Sequence, residues 1–318
     1  FLALSIRGDK TDERYITRLD INRAFLSYNL FQEIRDFDPE VILYVPSPSA
    51  TLFSFMRTKV LKSYVRSTKV VMITLQPVEY SFLSRRIIRF LTPDLVLVQS
   101  EDVLEQLSKL GCYVKLIPSG VDLKKFHPAT NERKLELRRK HKIDPNRFVI
   151  LHIGHINRDR NIQILKELQK DNNQVVIVGS TSTEQDKNLI EELRITGVRV
   201  IPNYVENIEE VYQLSDCYLF HVTSETASIE IPLSVLEAMA CNLSVITTKY
   251  GGLPVVFNGE GKGFFFIDDL NSLSNEIERV KKIYSCETRK MVEPYPWKSV
   301  AKSILELVFE LGTFENGL

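Results

Sequence analysis

Residues 230–254 read Glu-Ile-Pro-Leu-Ser-Val-Leu-Glu-Ala-Met-Ala-Cys-Asn-Leu-Ser-Val-Ile-Thr-Thr-Lys-Tyr-Gly-Gly-Leu-Pro, and this stretch decides the fold. Pro232 suits the first turn of a helix, where its missing N–H costs nothing. Leu236 and Ala240 then recur at helical spacing. Residues 243–247 form a short apolar, β-branched run, which is typical of a buried strand. The stretch therefore predicts a loop, a helix, a strand and a second loop in succession.

The ends of this helix and strand suggest a binding site. Asn242 suits the helix end, and Gly251 with Gly252 ends the strand where the backbone must come close to another group. A helix start of this kind directs N–H groups and a partial positive charge at an anion. Glu237 lies one to two turns inside the helix, where a carboxylate cannot serve a phosphate. It suits a neutral, hydroxyl-rich group beside the phosphate, such as a ribose.

The same stretch resembles the donor-sugar motif of the retaining glycosyltransferases with two facing Rossmann-like domains, the GT-B architecture. That motif reads Glu-Gly-Phe-Gly-Leu-Pro-x-Leu-Glu-Ala-Met-Ala-x-Gly, then a strand, then Gly-Gly-x-x-Glu. Residues 236–240 and the Gly251–Gly252 pair stand in register with it. The resemblance to this large group 1 family covers most of the chain, through Pro118-Ser119-Gly120-Val121-Asp122 with Phe126 and Pro128, Tyr204-Val205, Val211-Tyr212, Ser215-Asp216, and Trp297 with Val300-Ala301.

The resemblance implies an α/β fold of two facing Rossmann-like domains, with parallel sheets flanked by helices and a C-terminal helix crossing back. It implies an acceptor-side domain over residues 1–125, a donor-binding domain over 126–295 and a crossover helix over 296–318. Proteins of this family usually begin about fifty residues earlier, with a strand, a glycine loop and a helix. The first domain is therefore expected to be incomplete in this chain.

The alternation of apolar runs supports the α/β prediction independently. Strand-like runs are predicted at 41–45, 69–75, 95–99, 148–154, 174–179, 198–202, 217–222 and 243–248. Helical stretches are predicted at 51–64, 85–90, 103–110 and 131–142. The last of these is highly charged, and we expect it to be an ordinary solvated helix. Residues 117–128, with Gly120 and two prolines, form the predicted linker.

A second phosphate element follows the strand-like run that ends near residue 153. The family has Gly-Arg-Leu-x-x-x-Lys-Gly there, and its Arg and Lys clamp the donor diphosphate. Residues 154–161 read Gly-His-Ile-Asn-Arg-Asp-Arg-Asn. The resemblance implies that Arg160 takes the lysine position and His155 the arginine position, with Arg158 as a neighbouring substitute. The alternative interpretation of the two arginines is a surface loop, which the flanking register disfavours.

The chain departs from the family pattern at three further places. The first of the family's two glutamates falls on Ile229, with Glu230 adjacent and Glu225 four residues earlier. Val255 replaces the glutamate after Gly-Gly. Gln76 stands where the family often has a histidine, and it cannot take a proton at neutral pH. The implied catalytic residues are Glu230, Arg160 and Gln76. The implied donor-binding residues are Gly120, Gly154, His155, Arg158, Arg160, Tyr204, Val205, Glu225, Leu233, Ser234 and Glu237.

Composition is that of a globular protein of two domains, with 318 residues, 44% of them apolar and 26% charged. The four cysteines have neither metal-ligand nor disulfide spacing, so we expect buried, reduced thiols and a cytoplasmic setting. None of the five histidines belongs to a helical metal pair, and a lone histidine is usually a core or surface residue. We expect no metal and no cofactor beyond the nucleotide-diphosphate sugar co-substrate. Neither a Walker loop nor a Gly-x-Gly-x-x-Gly dehydrogenase motif is present.

Residues 55–90 combine basic and apolar side chains. Glu79 is the one acid there, against Arg57, Lys59, Lys62, Arg66, Lys69, Arg85, Arg86 and Arg89. Basic amphipathic helices are typical of proteins that bind a membrane surface, which makes an anionic membrane an expected partner. Ordinary helix faces whose apolar side lies in the core explain the pattern equally well. Nucleic acid is not expected, because the chain has no RNA- or DNA-binding module.

The resemblance implies a retaining glycosyltransferase that moves a sugar from a nucleotide-diphosphate sugar to a glycan or lipid-linked acceptor, in the cytoplasm or at the inner face of the membrane. Two alternatives stay open. One is a sugar-nucleotide epimerase or a phosphorylase on the same fold. The other is a catalytically degenerate subunit that binds a partner transferase, for which the departures at the His, Glu and Arg positions argue.

Overall fold

The computed structural model describes residues 3–5, 17–18, 27–47, 49–65, 68–181, 184–257 and 261–313. The chain divides into two compact units. The first unit comprises the part of the chain up to Ile117 together with residues from Leu305 onward. The second runs from Pro118 to Ile304. The boundary falls at the start of the predicted linker.

The first unit is built on a parallel sheet whose described strands follow the order β3-β4-β5-β6. Its strands are β1 (Leu4–Ser5), β2 (Thr17–Arg18), β3 (Val41–Tyr44), β4 (Lys69–Ile73), β5 (Leu95–Val98) and β6 (Val114–Leu116). Its helices are α1 (Tyr28–Phe37), α2 (Leu52–Tyr64), α3 (Phe82–Ile88) and α4 (Glu101–Lys109). β1 and β2 pair separately and in parallel. Strands β4 and β5 are almost wholly buried, as apolar β-branched runs should be.

The second unit contains a six-stranded parallel sheet in the order β12-β11-β10-β7-β8-β9. Its strands are β7 (Phe148–Gly154), β8 (Asn173–Gly179), β9 (Arg199–Ile201), β10 (Cys217–Phe220), β11 (Ser244–Thr248) and β12 (Phe264–Ile267). Its helices are α5 (Asn131–Lys140), α6 (Lys187–Ile195), α7 (Ile208–Leu214), α8 (Leu233–Ala240), α9 (Leu253–Val256), α10 (Leu273–Val280), α11 (Thr288–Val292) and the start of α12 (Trp297–Thr313).

This strand order reverses between β7 and β10. From β7 the sheet grows through β8 to β9 on one side and through β10 and β11 to β12 on the other. Two apolar cores cover the faces of the sheet, and Leu236 and Leu165 belong to opposite ones. In a doubly wound sheet, ligands bind outside the carboxyl ends of the strands at the point of reversal. The strand order therefore predicts a ligand-binding site at the loops that follow β7 and β10.

The decisive stretch folds as its sequence predicts, with one shift at its start. Pro232 caps helix α8 with extended backbone angles rather than lying in the first turn. Asn242 adopts a left-handed conformation, with φ of 59°, just after the helix ends. Gly251 has φ of 51°, and a Cβ atom there would lie 2.4 Å from the backbone oxygen of Glu230. Only glycine tolerates both the angle and the close approach.

The other predictions of local structure hold with limited changes. Helix α3 begins at Phe82, ahead of the predicted 85, because Ser81 accepts a hydrogen bond from the Ser84 N–H and caps it. Strands β2, β6 and β12 and helices α1, α6, α7, α9, α10 and α11 were not predicted. The cysteines are free thiols, with Cys286 half-buried and the other three buried. Among the described residues, no helix combines the length and the apolar character needed to cross a membrane.

The prediction of a plainly solvated α5 is wrong at Arg138. This side chain is 5% exposed. Its guanidinium donates to the Leu214 backbone oxygen over 2.9 Å and to Asp216 Oδ2 over 2.5 Å. The amide of Val149 on β7 donates to the same carboxylate oxygen. One arginine of the charged helix α5 is therefore buried, and a carboxylate and backbone oxygens accept hydrogen bonds from its guanidinium.

Candidate functional site

The loops after β7 and β10 meet at the point where the strand order reverses. Asn161 in the first loop donates through Nδ2 to the Thr223 hydroxyl in the second, over 3.0 Å. The Arg160 guanidinium donates to the backbone oxygen of Ala227 in the same second loop. These contacts join the Gly154–Asn161 element to the segment that leads into α8. The sheet thereby brings together two motifs that lie far apart in the sequence.

Arg160 lies at the centre of this region. Its side chain is 6% exposed. Burial lowers the pKa of its guanidinium, while the nearby Tyr218 and Tyr250 hydroxyls oppose that shift. Gly154 makes room for it, since a Cβ on Gly154 would lie 2.7 Å from Arg160 Nη1. A buried cation is costly unless it is paired, so the site is suited to accept an anion.

Arg158 and His155 occupy different environments. The Arg158 side chain is 54% exposed and donates to Glu192 Oε2 over 2.8 Å, with Asp186 also near. The structure therefore places Arg158 in a surface ion pair and does not bring it to Arg160. His155 is half-buried beside Arg160. Burial, and then the Arg160 charge, lower its pKa, so it is neutral at pH 7 and adds no second cation.

Glu237 lies inside helix α8 beneath its N-terminus. The Tyr212 hydroxyl on α7 donates to Glu237 Oε2 over 2.6 Å. Burial raises the pKa of Glu237, while the Tyr212 hydrogen bond and the Lys125 charge oppose the rise. Ser234 lies one helical turn before Glu237 on α8, and its hydroxyl accepts a hydrogen bond from the Tyr218 hydroxyl over 2.7 Å. No side chain caps the α8 N-terminus among the described residues, so its first N–H groups are available to a ligand.

The segment before α8 is held by Tyr250, which follows β11. Its hydroxyl accepts from the Ser228 N–H over 2.9 Å and lies within 2.9 Å of the Glu225 and Ser228 carbonyl oxygens, one of which it can donate to. Burial raises the pKa of Tyr250 to about 12, so it remains a neutral donor. Within this segment the Glu225 side chain is exposed, whereas Glu230 is 4% exposed. The two carboxylates thus differ sharply in access to solvent.

The remaining predicted residues are spread more widely. Tyr204 and Val205 follow β9, with Tyr204 exposed and Val205 packed on the core. Leu233 is partly exposed at the start of α8. Gly120 lies against the Trp297 ring, where a Cβ would come within 2.5 Å. Gln76 follows β4 in the first unit, and its backbone oxygen accepts from the Thr74 hydroxyl.

Several residues of the site could not be identified from linear motifs. Tyr218 and Tyr250 support the site through their hydroxyls, and His152 and His221 lie buried beside Arg160. The prediction that a lone histidine is a core or surface residue is confirmed for both histidines. The available signal was a polar side chain inside an otherwise apolar strand run, at or next to its carboxyl end. His152 in 148–154 and His221 after 217–220 both show it.

Comparison with known proteins agrees with this geometry. The family model described as "Glycosyl transferases group 1" matches residues 133–296, about half of the chain. The chain belongs to the group 1 glycosyltransferase family. The match covers β7, the Gly154–Asn161 element, α8 and Gly251, so the family's motif region coincides with the site at the point of sheet reversal.

The chain is also similar to individual transferases. It is 25% identical to the sulfoquinovosyl transferase SQD2 of Arabidopsis thaliana, over 91% of this chain and 60% of that protein. It is 30% identical to a D-inositol 3-phosphate glycosyltransferase of Corynebacterium jeikeium, over 55% of this chain and 45% of that protein. The chain therefore spans about half the length of these group 1 relatives.

Solved structures share its fold. The crystal structure of Anabaena HepE in complex with UDP-glucose matches with a TM-score of 0.78 at 17% identity, covering 97% of this chain and 91% of that one. The glycosyltransferase of Rickettsia africae matches with a TM-score of 0.73, also at 17% identity, over 97% and 89%. The predicted α/β fold with parallel sheets flanked by helices, as in GT-B glycosyltransferases, is confirmed.

Proposed function

We propose that this protein is a retaining glycosyltransferase that uses a nucleotide-diphosphate sugar. The observation that carries the proposal is that Tyr218, which interacts electrostatically with the buried Arg160, donates to Ser234 in the first turn of α8, the helix that also bears Glu237. A guanidinium and a helix N-terminus suit a diphosphate. The carboxylate beside them suits the ribose hydroxyls. Anabaena HepE, whose structure contains UDP-glucose, supports a UDP-sugar as the donor.

The chemistry of the step follows from this assignment. As the sugar leaves, negative charge builds on the diphosphate, and Arg160 stabilises it without a metal ion. Arg160 is held by the Ala227 carbonyl and given space by Gly154, so it needs little reorganisation. A reaction on the donor's front face, assisted by the leaving phosphate, depends on this charge more than on a side-chain nucleophile. Within the second unit, Glu230 is proposed to contact the sugar.

A donor screen tests the proposal. The full chain is incubated with UDP-, GDP-, ADP- and dTDP-sugars, and release of the nucleoside diphosphate is measured with and without glycan or lipid-linked acceptors. Transfer with an unchanged anomeric configuration, read by NMR of the product, supports the proposal. An inverted product contradicts retention. Conversion of a donor without an acceptor identifies an epimerase, and phosphate-dependent cleavage of a glycan identifies a phosphorylase.

A binding-only subunit is the second candidate. It is favoured because, in the part of the chain that the structure describes, Arg160 is the one buried cation at the site: Arg158 pairs with Glu192, and the pKa of His155 is lowered. Such a subunit would bind the nucleotide and show no turnover with any donor and acceptor. Calorimetry alongside the donor screen separates this outcome from an active enzyme.

We further propose that the first unit binds anionic membrane, where a lipid-linked acceptor lies at the cytoplasmic face. Helix α3 carries the feature that supports this. Phe82, Leu83 and Phe90 are 76%, 66% and 79% exposed beside three exposed arginines, Arg85, Arg86 and Arg89. On α2, by contrast, Phe55 and Leu61 are buried and Lys62 pairs with Asp94. Arg66 lies outside the described residues. Helix α2 nevertheless exposes Phe53 and Met56 beside Lys59, so it adds to the support that α3 and its C-terminal end provide.

A further inference from the structure

A pair of buried histidines lies directly behind Arg160. His152 on β7 is 1% exposed and His221 after β10 is fully buried. Their ring centroids are 5.0 Å apart in an edge-to-face arrangement. A Cβ atom on Gly154 would lie 3.1 Å from His152 Nε2 and 2.7 Å from Arg160 Nη1. The imidazole and the guanidinium therefore approach the same point of the chain from two sides.

The hydrogen bonding of His152 fixes which nitrogen carries its proton. His152 Nδ1 lies 2.9 Å from the Leu219 backbone oxygen. A carbonyl only accepts, so Nδ1 must be the donor, and in the neutral ring Nε2 is then an acceptor. Nε2 is buried with no hydrogen-bond partner among the described residues, and the same holds for Arg160 Nε. Buried polar atoms are nearly always paired, so an acceptor and a donor left over in one site call for an explanation.

Both histidines are neutral at physiological pH. Burial and the Arg160 charge lower the pKa of His152 to about 4, against the hydrogen bond to Leu219. Burial, His152 and Arg160 lower the pKa of His221 further, against a contact with the Asn161 backbone. Two uncharged rings behind one guanidinium avoid a cluster of like charges. They also leave Nε2 of His152 unprotonated and able to accept.

We infer that His152 is a positioning residue for Arg160, whose guanidinium donates to His152 Nε2 when a diphosphate is bound. His221 packs against His152 and keeps its ring in the orientation that bonds Leu219. The guanidinium is then held by two acceptors, Nε2 and the Ala227 carbonyl, with its remaining N–H groups directed at the diphosphate. This inference rests on the proposed function for the identity of the anion, and on the fold alone for the state of His152.

A double-mutant cycle tests the link through Arg160. UDP binding is measured by calorimetry for the full chain, for His152→Phe, for Arg160→Ala and for the double variant. Phe keeps the ring and removes the acceptor. His152→Phe alone should weaken UDP binding roughly tenfold to hundredfold, the scale of a lost hydrogen bond to a charged group. In the Arg160→Ala background, His152→Phe should not weaken UDP binding further, because the guanidinium through which His152 acts is already absent.

Two further variants separate positioning from packing. His152→Gln restores an acceptor and should recover most of the affinity, whereas His127→Phe, an exposed histidine of the linker, should change nothing. Equal losses from His152→Phe in both backgrounds would show that the ring only packs, and would overturn the inference. Tight UDP binding by every variant would also overturn the inference.

Histidine NMR tests the protonation of His152 without any ligand. The protein has five histidines, so selective ¹⁵N labelling and the His152→Phe variant assign the resonance directly. We expect the Nδ1–H tautomer for His152 in the free protein. An Nε2–H tautomer would overturn the inference, since that nitrogen could not accept from Arg160. If the wild-type chain does not bind UDP or another nucleoside diphosphate, the proposed function fails, and the tautomer still decides the state of His152.

Discussion

The Tyr212 hydroxyl donates a hydrogen bond to Glu237 Oε2 over 2.6 Å, joining α7 to the helix of the family motif. Tyr212 is fully buried, and its own pKa is raised well above the ordinary value by burial and then by the Glu237 charge. The phenol is therefore protonated and able to donate at neutral pH. Glu237 thus has one oxygen engaged with the protein, and we propose that the other accepts from a ligand.

Replacing Glu237 with Gln should weaken nucleotide binding. The isosteric amide keeps an oxygen for Tyr212 and loses the charge that strengthens bonds from the ribose hydroxyls. We expect a loss of roughly 1–3 kcal/mol in binding free energy, measured by calorimetry with UDP. Tyr212→Phe should produce a smaller loss, since it frees the carboxylate without removing it. An unchanged UDP dissociation constant for Glu237→Gln would show that Glu237 does not bind the nucleotide.

The same substitution should stabilise the folded protein near neutral pH. Because burial raises the pKa of Glu237 in the folded state, ionising this group opposes folding. The penalty is absent below the unfolded-state pKa and is fully present above the raised folded-state pKa. Glu237→Gln should therefore have a higher Tm than the wild type at pH 7, and the difference should shrink toward pH 4. A difference that is constant with pH, or reversed, contradicts the assigned direction.

Arg160 and Arg158 provide a matched pair of cations two residues apart. Arg160→Ala should lower turnover about 10²–10³-fold, the scale of a lost transition-state donor. Arg158→Ala removes a largely exposed ion pair with Glu192, and such pairs contribute roughly 0–1 kcal/mol to stability, so turnover should change little. Steady-state kinetics with the donor found in the screen decides between them. A crippling Arg158→Ala with a silent Arg160→Ala would shift the motif register by two residues.

Gly154→Ala should impair donor binding more than folding. The added Cβ would lie 2.7 Å from Arg160 Nη1 and 3.1 Å from His152 Nε2, so the flexible end of Arg160 must move away. Gly179→Ala is the control, because Gly179 pairs with Gly154 across the sheet and its Cβ meets only the Gln185 side chain. We expect a UDP affinity lowered by roughly tenfold for the first variant and near wild type for the second. Similar losses in both would assign the effect to strand distortion.

Changing Arg85, Arg86 and Arg89 together to Ser should abolish binding to anionic vesicles. Each cation near such a surface contributes on the order of 1 kcal/mol, and the attraction is screened by salt. Flotation with vesicles of mixed anionic and neutral lipid, compared with neutral vesicles, measures it. Changing Arg279, Lys281 and Lys282 to Ser removes the same charge from the end of α10 and should leave binding intact. Equal partition to both vesicle types, or to neither, would leave α3 an ordinary solvated helix.

Local patterns were enough for most of the strands in the two larger sheets and for the place of the family motif, although they missed several helices and β6 and β12. The 3.6-residue spacing of α8, the β-branched run of β11 and the glycine at residue 251 each act within a few residues, so the sequence specified them directly. The register of Glu237 followed from the same helix. Charge and composition, by contrast, misled at Arg138, because burial of a cation depends on acceptors from other elements that periodicity does not reveal.

The sequence by itself therefore determined an α/β chain with a helix start and a carboxylate suited to a nucleotide. The motif register already favoured Arg160, but only the tertiary structure decided that Arg160 is buried at the site while Arg158 lies in a surface ion pair. Arg158 and Arg160 are equivalent by composition, but sheet order places the Ala227 carbonyl and the space at Gly154 beside one of them alone. His152 and His221 become neighbours for the same reason, since β7 and β10 pair across the reversal. Contacts between residues distant in sequence depend on which strands are neighbours in the sheet. That strand order depends on how the whole sheet buries its apolar faces, and local sequence patterns do not reveal it.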